Sequence, residues 1–376
     1  MKYNYPPIDY DKYLMLDKIL NAQKLRSEEF KNPAHDEMLF IIVHQTYELW
    51  FKQILTELKS IGLIFENDFI DERDMALIVN RLQRVTKILR ILLDQIEIIE
   101  TMTPLDFLEF RDMLFPASGF QSFQFRMVEN LLGLKSEQRL KYNSHSYDKS
   151  LPEDIAPLVK KIEDQPSLFD RVNAWLERTP FLNLENFDFW NAYKTAVKST
   201  FNSEASIVKN HSGLSENDIK RNLEIIDQAR STFETLFDEN AYNEAVKNGQ
   251  WRLSYKSIHA ALLIQLYRDQ PILQLPFELI KALLDLDETM TTWRYRHALM
   301  AKRMLGTKIG TGGSSGYDYL KQTSEKHKIF NDFFQLTTFF IPRSALPELP
   351  KEVQDLLGFR YGHTCGTQSV NNHVEK

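Results

Sequence analysis

The stretch from Asp71 to Glu100 repeats apolar residues at steps of three and four without a break. These steps match the 3.6-residue period of an α-helix, so the apolar side chains share one stripe of roughly eight turns. The stripe consists of Met75, Ile78, Leu82, Val85, Leu89, Leu92, Ile96 and Ile99. A long helix with one apolar face needs partner helices, and no stretch shows the alternation typical of strands. We therefore expect an all-α fold with a helical bundle core.

Two further helices are indicated by their first residues. Thr103 and Pro104 supply an N-cap and a favoured first-turn proline for a short helix through Leu114. Ser215 starts another helix, whose apolar positions are Ile219, Leu223, Ile226, Phe233 and Phe237. We expect a single domain over residues 1–376, with 202–275 as a candidate inserted helical subdomain and a loop from Lys135 to Glu153.

Composition excludes several classes of protein. The chain has 376 residues and a net charge of −6, with basic side chains scattered among acidic ones, so we expect no nucleic-acid partner. The N-terminus is polar and apolar runs are short, so we expect no membrane segment. The single cysteine, Cys365, excludes an intramolecular disulfide, a cysteine-ligated metal cluster and covalent haem attachment. We expect a cytosolic protein.

A long helical pattern near residue 300 carries a histidine on its apolar face. The pattern PFELIKALLDLDETMTTWRYRHALMAKRML begins at Pro276, and His297 lies on its apolar stripe. The stripe also holds Leu286, Met290, Trp293, Met300 and Met304. A buried neutral imidazole must place one donor and one acceptor among sulfur and aromatic neighbours. The two interpretations are a ligand to a metal such as iron and a core histidine that bonds a backbone carbonyl.

The stretch HDEMLFIIVHQTYELWFKQIL places a second histidine on an apolar face. In it, His44 shares a stripe with Phe40, Tyr47 and Phe51, and Asp36 and Glu37 suit the positive end of a helix. His35 and His44 are nine residues apart, which does not fit the spacing of a zinc protease. A satisfied core histidine is again the alternative.

An arginine follows on the helix that begins near Pro104. Arg111 lies among Phe107, Phe110 and Leu114 at helical spacing, where an always-charged guanidinium requires an anion such as a carboxylate. The alternative is an edge arginine paired with a structural acid. The small-residue turn that follows, Pro116 to Gly119, allows backbone to approach a ligand closely.

The segment Gly310 to Gly316 is glycine-rich. It lacks the Gly-Lys-Ser/Thr of a phosphate loop and the spacing G-x-G-x-x-G, so we do not expect a nucleotide site. We expect a loop that closes over a pocket, with hydroxyl donors at Thr311, Ser314 and Ser315. An ordinary flexible connection is the alternative.

Four blocks in this chain closely resemble tryptophan 2,3-dioxygenases in order and spacing: HDEMLFIIVHQTYELWFKQIL, FRDMLFPASGFQSFQFR, WRYRHALMAKRMLG and GTGGSSGYDYL. The similarity extends from about Tyr10 to the Ile341-Pro-Arg segment. The resemblance implies an all-α cytosolic enzyme, usually a homotetramer, with one haem b per subunit that is active as Fe(II). Such enzymes open the indole pyrrole ring of L-tryptophan with O2 to give N-formylkynurenine, the first step of tryptophan catabolism by the kynurenine route.

The resemblance also assigns roles to residues. It implies that His297 is the proximal ligand of the haem iron, that His44 lies near the indole nitrogen as the catalytic histidine, and that Arg111 pairs with the substrate carboxylate. Thr311 is expected near the substrate ammonium. Further substrate-binding residues are Phe40, Phe107 and Leu114 around the indole and Tyr10, Tyr13 and Leu14 from a neighbouring subunit. The turn Ala117-Ser118-Gly119 is expected over the distal pocket beside the cofactor.

Basic residues near His297 are expected to meet the haem propionates. They are Arg294, Arg296, Lys302 and Arg303. Three other functions stay open: a broader indole or indoleamine dioxygenase, a non-catalytic haem or tryptophan sensor, and a purely structural helical protein. The last explains the helix periods but not four ligand-like groups on apolar faces.

Overall fold

The computed structural model describes residues 5–140, 151–179, 183–184, 187–306, 308 and 316–358. These residues are built mainly from α-helices, which confirms the all-α prediction. The helices are α1 (Tyr10–Leu14), α2 (Leu16–Ile19), α3 (Arg26–Glu29), α4 (Glu37–Phe65), α5 (Glu72–Ile99), α6 (Pro104–Arg111), α7 (Phe123–Leu132), α8 (Ala156–Glu163), α9 (Leu168–Glu177), α10 (Phe189–Lys209), α11 (Glu216–Phe237), α12 (Glu239–Lys247), α13 (Tyr255–Leu266), α14 (Pro271–Leu305), α15 (Gly316–Lys326), α16 (Asn331–Gln335) and α17 (Lys351–Leu357). Short 3-10 turns occur at Asp112–Leu114, Gly119–Gln121, Ser136–Gln138, Leu336–Phe339 and Arg343–Ala345.

The chain divides into two compact units. The first contains residues of 1–176 and 279–335, and the second contains residues of 177–278 and 336–376. The predicted inserted subdomain, 202–275, belongs to the second unit, and its independence stays a prediction. The described helices contain no stretch that is long and apolar enough to cross a membrane.

The first unit is organised around α4 and α5. All eight side chains of the predicted α5 stripe are buried, as the helical period requires. Asp71 caps the helix by accepting a hydrogen bond from the Asp74 N–H at 2.8 Å. Helix α4 packs against both α5 and α7, and α7 packs against α8. The long helices thus cover one another's apolar faces.

Capping residues mark several helix boundaries, and two boundaries differ from those predicted from the sequence. Thr103 and Asp106 form the capping box of α6, which ends at Arg111 and continues as a 3-10 turn to Leu114. Helix α14 begins at Pro271, and Pro276, the predicted start, lies inside the helix. Pro271 suits the first helical position because the N–H that proline lacks would have no partner within the helix there. Glu37 lies in the first turn of α4 and is fully buried. Its carboxylate accepts from the N–H groups of Arg26 (2.8 Å) and Ser27 (2.9 Å), which ties the N-terminal segment to α4.

The second unit has its own aromatic core. Helix α10 packs against α11, and Phe189, Tyr193 and Phe233 are buried there. Two very short antiparallel strands, β1 (Asn183–Leu184) and β2 (Phe187–Asp188), precede α10. Alternation cannot appear in two residues, so no local pattern indicates these strands.

Candidate functional site

A cavity of about 330 Å³ lies within the first unit. Helices α4, α5, α7, α14 and α15 and the turn at 118–122 contribute its lining. The walls are largely apolar and aromatic, and both His44 and His297 line them. The structure therefore brings together two histidines that are far apart in the sequence.

His297 is a half-buried side chain of α14. Its ring is parallel to that of Trp293, one helical turn earlier, with 5.4 Å between centroids and 2° between planes. Burial, and to a smaller extent the nearby His44, lowers the pKa of His297 to about 4. Among the described residues, none hydrogen-bonds to the His297 ring. The alternative interpretation, a core histidine that bonds a backbone carbonyl, therefore finds no support in the described part of the chain. A neutral imidazole with an available lone pair on a cavity wall is suited to bind a metal.

His44 presents one fixed ring nitrogen and one available nitrogen. Its Nδ1 lies 2.7 Å from the carbonyl oxygen of Phe40. A carbonyl only accepts, so Nδ1 carries the proton and Nε2 of the neutral ring is an acceptor. The side chain is exposed because it faces the open cavity, yet surrounding protein still desolvates it. This desolvation is the largest effect on the pKa of His44 and lowers it. The Phe40 hydrogen bond and the charge of Glu48 raise the pKa, but by less, so the net shift is downward.

Aromatic side chains predicted to surround an indole lie next to His44. The Phe40 ring is 4.1 Å from the His44 ring and 5.8 Å from the Phe107 ring, measured between centroids. Phe40, Phe107 and Leu114 pack on a buried apolar cluster that includes Phe110. The three predicted lining residues therefore share one apolar surface beside His44.

Arg111 ends α6 next to this apolar surface. Only 15% of its side chain is exposed. Its Nη1 lies 3.8 Å from Oδ1 of Asp112, which exceeds hydrogen-bond distance, and the Asp112 side chain is 92% exposed. This pair is a weak surface contact, because solvent screens the exposed carboxylate.

The predicted turn lies at the cavity and the predicted loop residue lies outside the described chain. Ser118 and Gly119 line the cavity, and the Ala117 N–H donates to the Leu114 carbonyl at 2.7 Å. Ser118 starts a 3-10 turn, in which its hydroxyl accepts from the Phe120 N–H at 3.4 Å. Thr311, Ser314 and Ser315 lie outside the described residues.

The basic residues predicted to meet propionates have partners within the protein. Arg294 donates to Glu129 at 2.9 Å and to the backbone carbonyl of His327 at 2.8 Å. Arg296 and Arg303 pair with Glu100, at 3.3 and 3.9 Å respectively. Lys302 lies over the ring of Tyr317, 4.3 Å from its centroid. Of the four, Arg294 alone belongs to the described cavity lining.

Sequence reasoning missed a buried charge cluster beside the cavity. Burial raises the pKa of Glu129, but Arg139, Arg126 and Arg294 outweigh this and lower it well below its usual range. The three arginines lie 2.5, 2.7 and 2.9 Å from the Glu129 carboxylate, respectively. Arg126 and Glu129 are three residues apart on α7, but Arg294 is 165 residues from Glu129, so no local pattern reveals the whole cluster. Glu48 was also missed, although its position four residues after His44 is a usable signal.

The N-terminal residues predicted to reach a neighbouring subunit lie on α1. Tyr10 is 75% exposed and Tyr13 is 71% exposed, and no residue of α1 is buried. Leu14 is half-buried. None of these three residues belongs to the described lining of the cavity.

The metal-binding side chains of the described residues are compatible with a site that uses a single protein ligand. No group of three or more histidine, cysteine, aspartate or glutamate side chains could hold a metal ion within the described ranges. A haem needs only one axial protein ligand, so a single histidine on the cavity wall, such as His297, would be enough to hold one.

Comparison with known proteins identifies similar chains. The sequence profile of the tryptophan 2,3-dioxygenase family matches residues 4–340. A tryptophan 2,3-dioxygenase of Bdellovibrio bacteriovorus is 57% identical over 357 residues, covering 95% of this chain and 99% of the relative. Those of Alteromonas mediterranea (47% identity, 96% of this chain and 99% of the relative) and Dictyostelium discoideum (46%, 94% and 88%) are also similar.

Proposed function

The chain belongs to the tryptophan 2,3-dioxygenase family, and on that premise we propose that it opens the indole pyrrole ring of L-tryptophan with O2. The product is N-formylkynurenine, and the reaction is the first step of tryptophan catabolism by the kynurenine route. The observation that carries the proposal is the pairing of two histidines on one apolar cavity, with the Phe40 and Phe107 rings packed beside His44.

His297 is the residue that would hold haem b. Its lowered pKa keeps the imidazole neutral near pH 7, so its lone pair is available to iron. Parallel packing against Trp293 restricts rotation of the ring. When bound, an Fe(II) haem supplies the dioxygen chemistry.

His44 accepts the indole N–H in this proposal. The Phe40 carbonyl fixes the proton on Nδ1, which leaves Nε2 as the acceptor. The lowered pKa of His44 favours this neutral form. Its task is to orient the indole ring, and no strong base is required for that task.

Substrate recognition is divided between a cation and an apolar surface. Arg111 pairs with the tryptophan carboxylate, since a partly desolvated guanidinium binds a carboxylate through two parallel hydrogen bonds. Phe40, Phe107 and Leu114 contact the indole. Thr311 is assigned to the ammonium by sequence resemblance alone.

We infer that the active form is a cytoplasmic homotetramer in which α1 completes a neighbouring site. The exposed Tyr10 and Tyr13 support this, because a five-residue helix without buried residues needs an external surface to be stable.

The proposed function is tested by anaerobic absorption spectra of the reduced protein with and without L-tryptophan, followed by admission of air. We expect a haem spectrum that responds to L-tryptophan and formation of N-formylkynurenine in air. A spectral response without product indicates a sensor instead. Purified protein without haem after haem supplementation contradicts the proposal.

A further inference from the structure

Glu48 is a cavity-lining carboxylate that the proposed function does not use. It lies four residues after His44 on α4, and both side chains line the cavity. Its Oε1 accepts from the Ser122 hydroxyl at 2.6 Å, and its Oε2 accepts from the Gln124 amide at 2.8 Å. The same amide donates to the Glu48 carbonyl at 2.9 Å. Three hydrogen bonds thus join this turn of α4 to the start of α7.

Ser122 connects Glu48 to the turn that forms one wall of the cavity. Its hydroxyl caps α7 by accepting from the Phe125 N–H at 3.3 Å, and its single proton goes to Glu48. The 3-10 turn Gly119–Gln121, which Ser118 caps, immediately precedes it. Because α4 carries both Glu48 and His44, the anchor at Ser122 sets the distance between this turn and His44.

Glu48 also keeps a negative charge at the cavity wall. The carboxylate of Glu129 contacts three arginines, whereas Glu48 has no basic side chain within 4.0 Å among the residues that the structure describes. Burial lowers the pKa of His44, and the charge of Glu48 opposes that change. The other titratable or charged side chains of the described lining are Tyr47, Arg126, Glu129, Arg294, His297, Tyr319 and His327.

We propose that Glu48 is a positioning residue for indole recognition, which fixes the 118–122 turn relative to His44 and places a negative charge beside the imidazole. This inference rests on the proposed role of His44 as the acceptor of the indole N–H. Loss of the anchor displaces the turn and weakens substrate binding. Loss of the charge makes His44 harder to protonate, so the accepting form persists to lower pH.

Three variants separate the anchor from the charge. Ser122→Ala removes an anchor and keeps the charge, so we expect KM for L-tryptophan to rise about tenfold, an effect within the range that a small misplacement of a binding group causes. The decrease of kcat/KM at low pH, here called the acid limb, should keep its wild-type position. Glu48→Gln keeps an acceptor oxygen and removes the charge, so we expect the acid limb to move to lower pH with a smaller rise in KM. Glu48→Asp keeps the charge but shortens the reach, so we expect a wild-type acid limb and a raised KM.

His44→Ala is the control for the proposed function. Disappearance of the acid limb in that variant assigns the limb to His44, and its persistence contradicts the role of His44. In either case, NMR titration of the His44 ring in wild-type and Glu48→Gln holoenzyme measures the effect of the charge without turnover. An unchanged His44 pKa in Glu48→Gln, or wild-type KM in Ser122→Ala with an intact fold by circular dichroism, overturns the proposal for Glu48.

Discussion

His297 in the first unit and His259 in the second share the physical features expected of a functional histidine. Each packs beside a tryptophan: the ring centroids are 5.4 Å apart for Trp293 and His297 and 3.5 Å apart for Trp190 and His259. Burial lowers the pKa of His297 to about 4 and that of His259 to about 3. Stacking, burial and a lowered pKa therefore do not distinguish the two residues.

Their surroundings do distinguish them. His297 lines a cavity that also holds His44, and no described residue hydrogen-bonds to its ring. His259 is 9% exposed and packs against Trp190 and Tyr255, with 3.5 and 4.1 Å between ring centroids, respectively. A neutral histidine is thus ordinary in a tightly packed core. A cavity and a second histidine are what make His297 a candidate ligand.

The largest expected effect follows directly from this contrast. His297→Ala removes the axial ligand, so we expect complete loss of stable haem and of activity. His259→Phe is the matched control, since it keeps an aromatic ring beside Trp190 and leaves the cavity intact, and we expect full haem content. Absorption spectra of both purified variants measure this. Full haem occupancy with an unchanged Soret band in His297→Ala contradicts the ligand assignment.

The two units also contain comparable arginines. Arg111 lies beside Phe107 and Phe110, and Arg230 lies 6.0 Å from the Phe201 ring centroid and donates to Asn202 at 3.3 Å. For Arg111→Leu we expect a loss of about 2 to 5 kcal/mol of transition-state stabilisation. This corresponds to a fall in kcat/KM for L-tryptophan of roughly thirtyfold to several thousandfold.

Arg230→Leu is the control for that prediction and should leave kcat/KM within about twofold of wild type, as expected for a change outside the site. Tryptamine, which lacks the carboxylate, should be a poor substrate for wild type and Arg111→Leu alike. Wild-type kcat/KM for L-tryptophan in Arg111→Leu rules out the carboxylate role.

His44 differs from His297 in having one nitrogen already bonded to a backbone carbonyl. Its proposed task is one hydrogen bond, so His44→Ala should retain haem and lose about tenfold to a hundredfold in rate, equivalent to roughly 1 to 3 kcal/mol. Steady-state kinetics with haem quantification measures the change. Complete inactivity with normal tryptophan and oxygen binding requires an acid–base role instead.

His259 should affect stability rather than catalysis. Its pKa is lowered in the folded state from 6.5 to about 3, so its stabilising contribution is complete above pH 6.5 and declines as pH falls from there toward 3. Between pH 7 and 5 the wild type should lose about 2 kcal/mol more unfolding free energy than His259→Phe. Urea unfolding followed in both proteins tests this. Identical pH dependence shows that His259 is not a buried neutral group.

The N-terminal helix should give the smallest effect, since neither histidine lies on it. Deletion of residues 1–14 should weaken the oligomer and raise KM for L-tryptophan by about tenfold or less, which is about 1.4 kcal/mol, while haem is retained. Sedimentation and kinetics measure both changes. Unchanged assembly together with unchanged KM shows that α1 does not contribute to a shared site.

The sequence predicted the features that depend on local spacing. The period of three and four determined α5 and the burial of its entire stripe, because side chains at those steps always share one face. The same rule placed Phe40 beside His44 and Trp293 beside His297. Thr103 and Asp106 marked the start of α6 through their capping box. The order and spacing of the four resembling blocks were sufficient to indicate the family.

Only the tertiary structure decided which distant residues meet. Glu129 and Arg294 are 165 positions apart, and Glu48 and Ser122 are 74 apart, yet each pair is in hydrogen-bond contact. A helical period fixes the face on which a side chain lies but not the helix that packs against that face. The cavity formed by His44 and His297, and the protein partners of the basic residues near His297, therefore depended on how the helices pack.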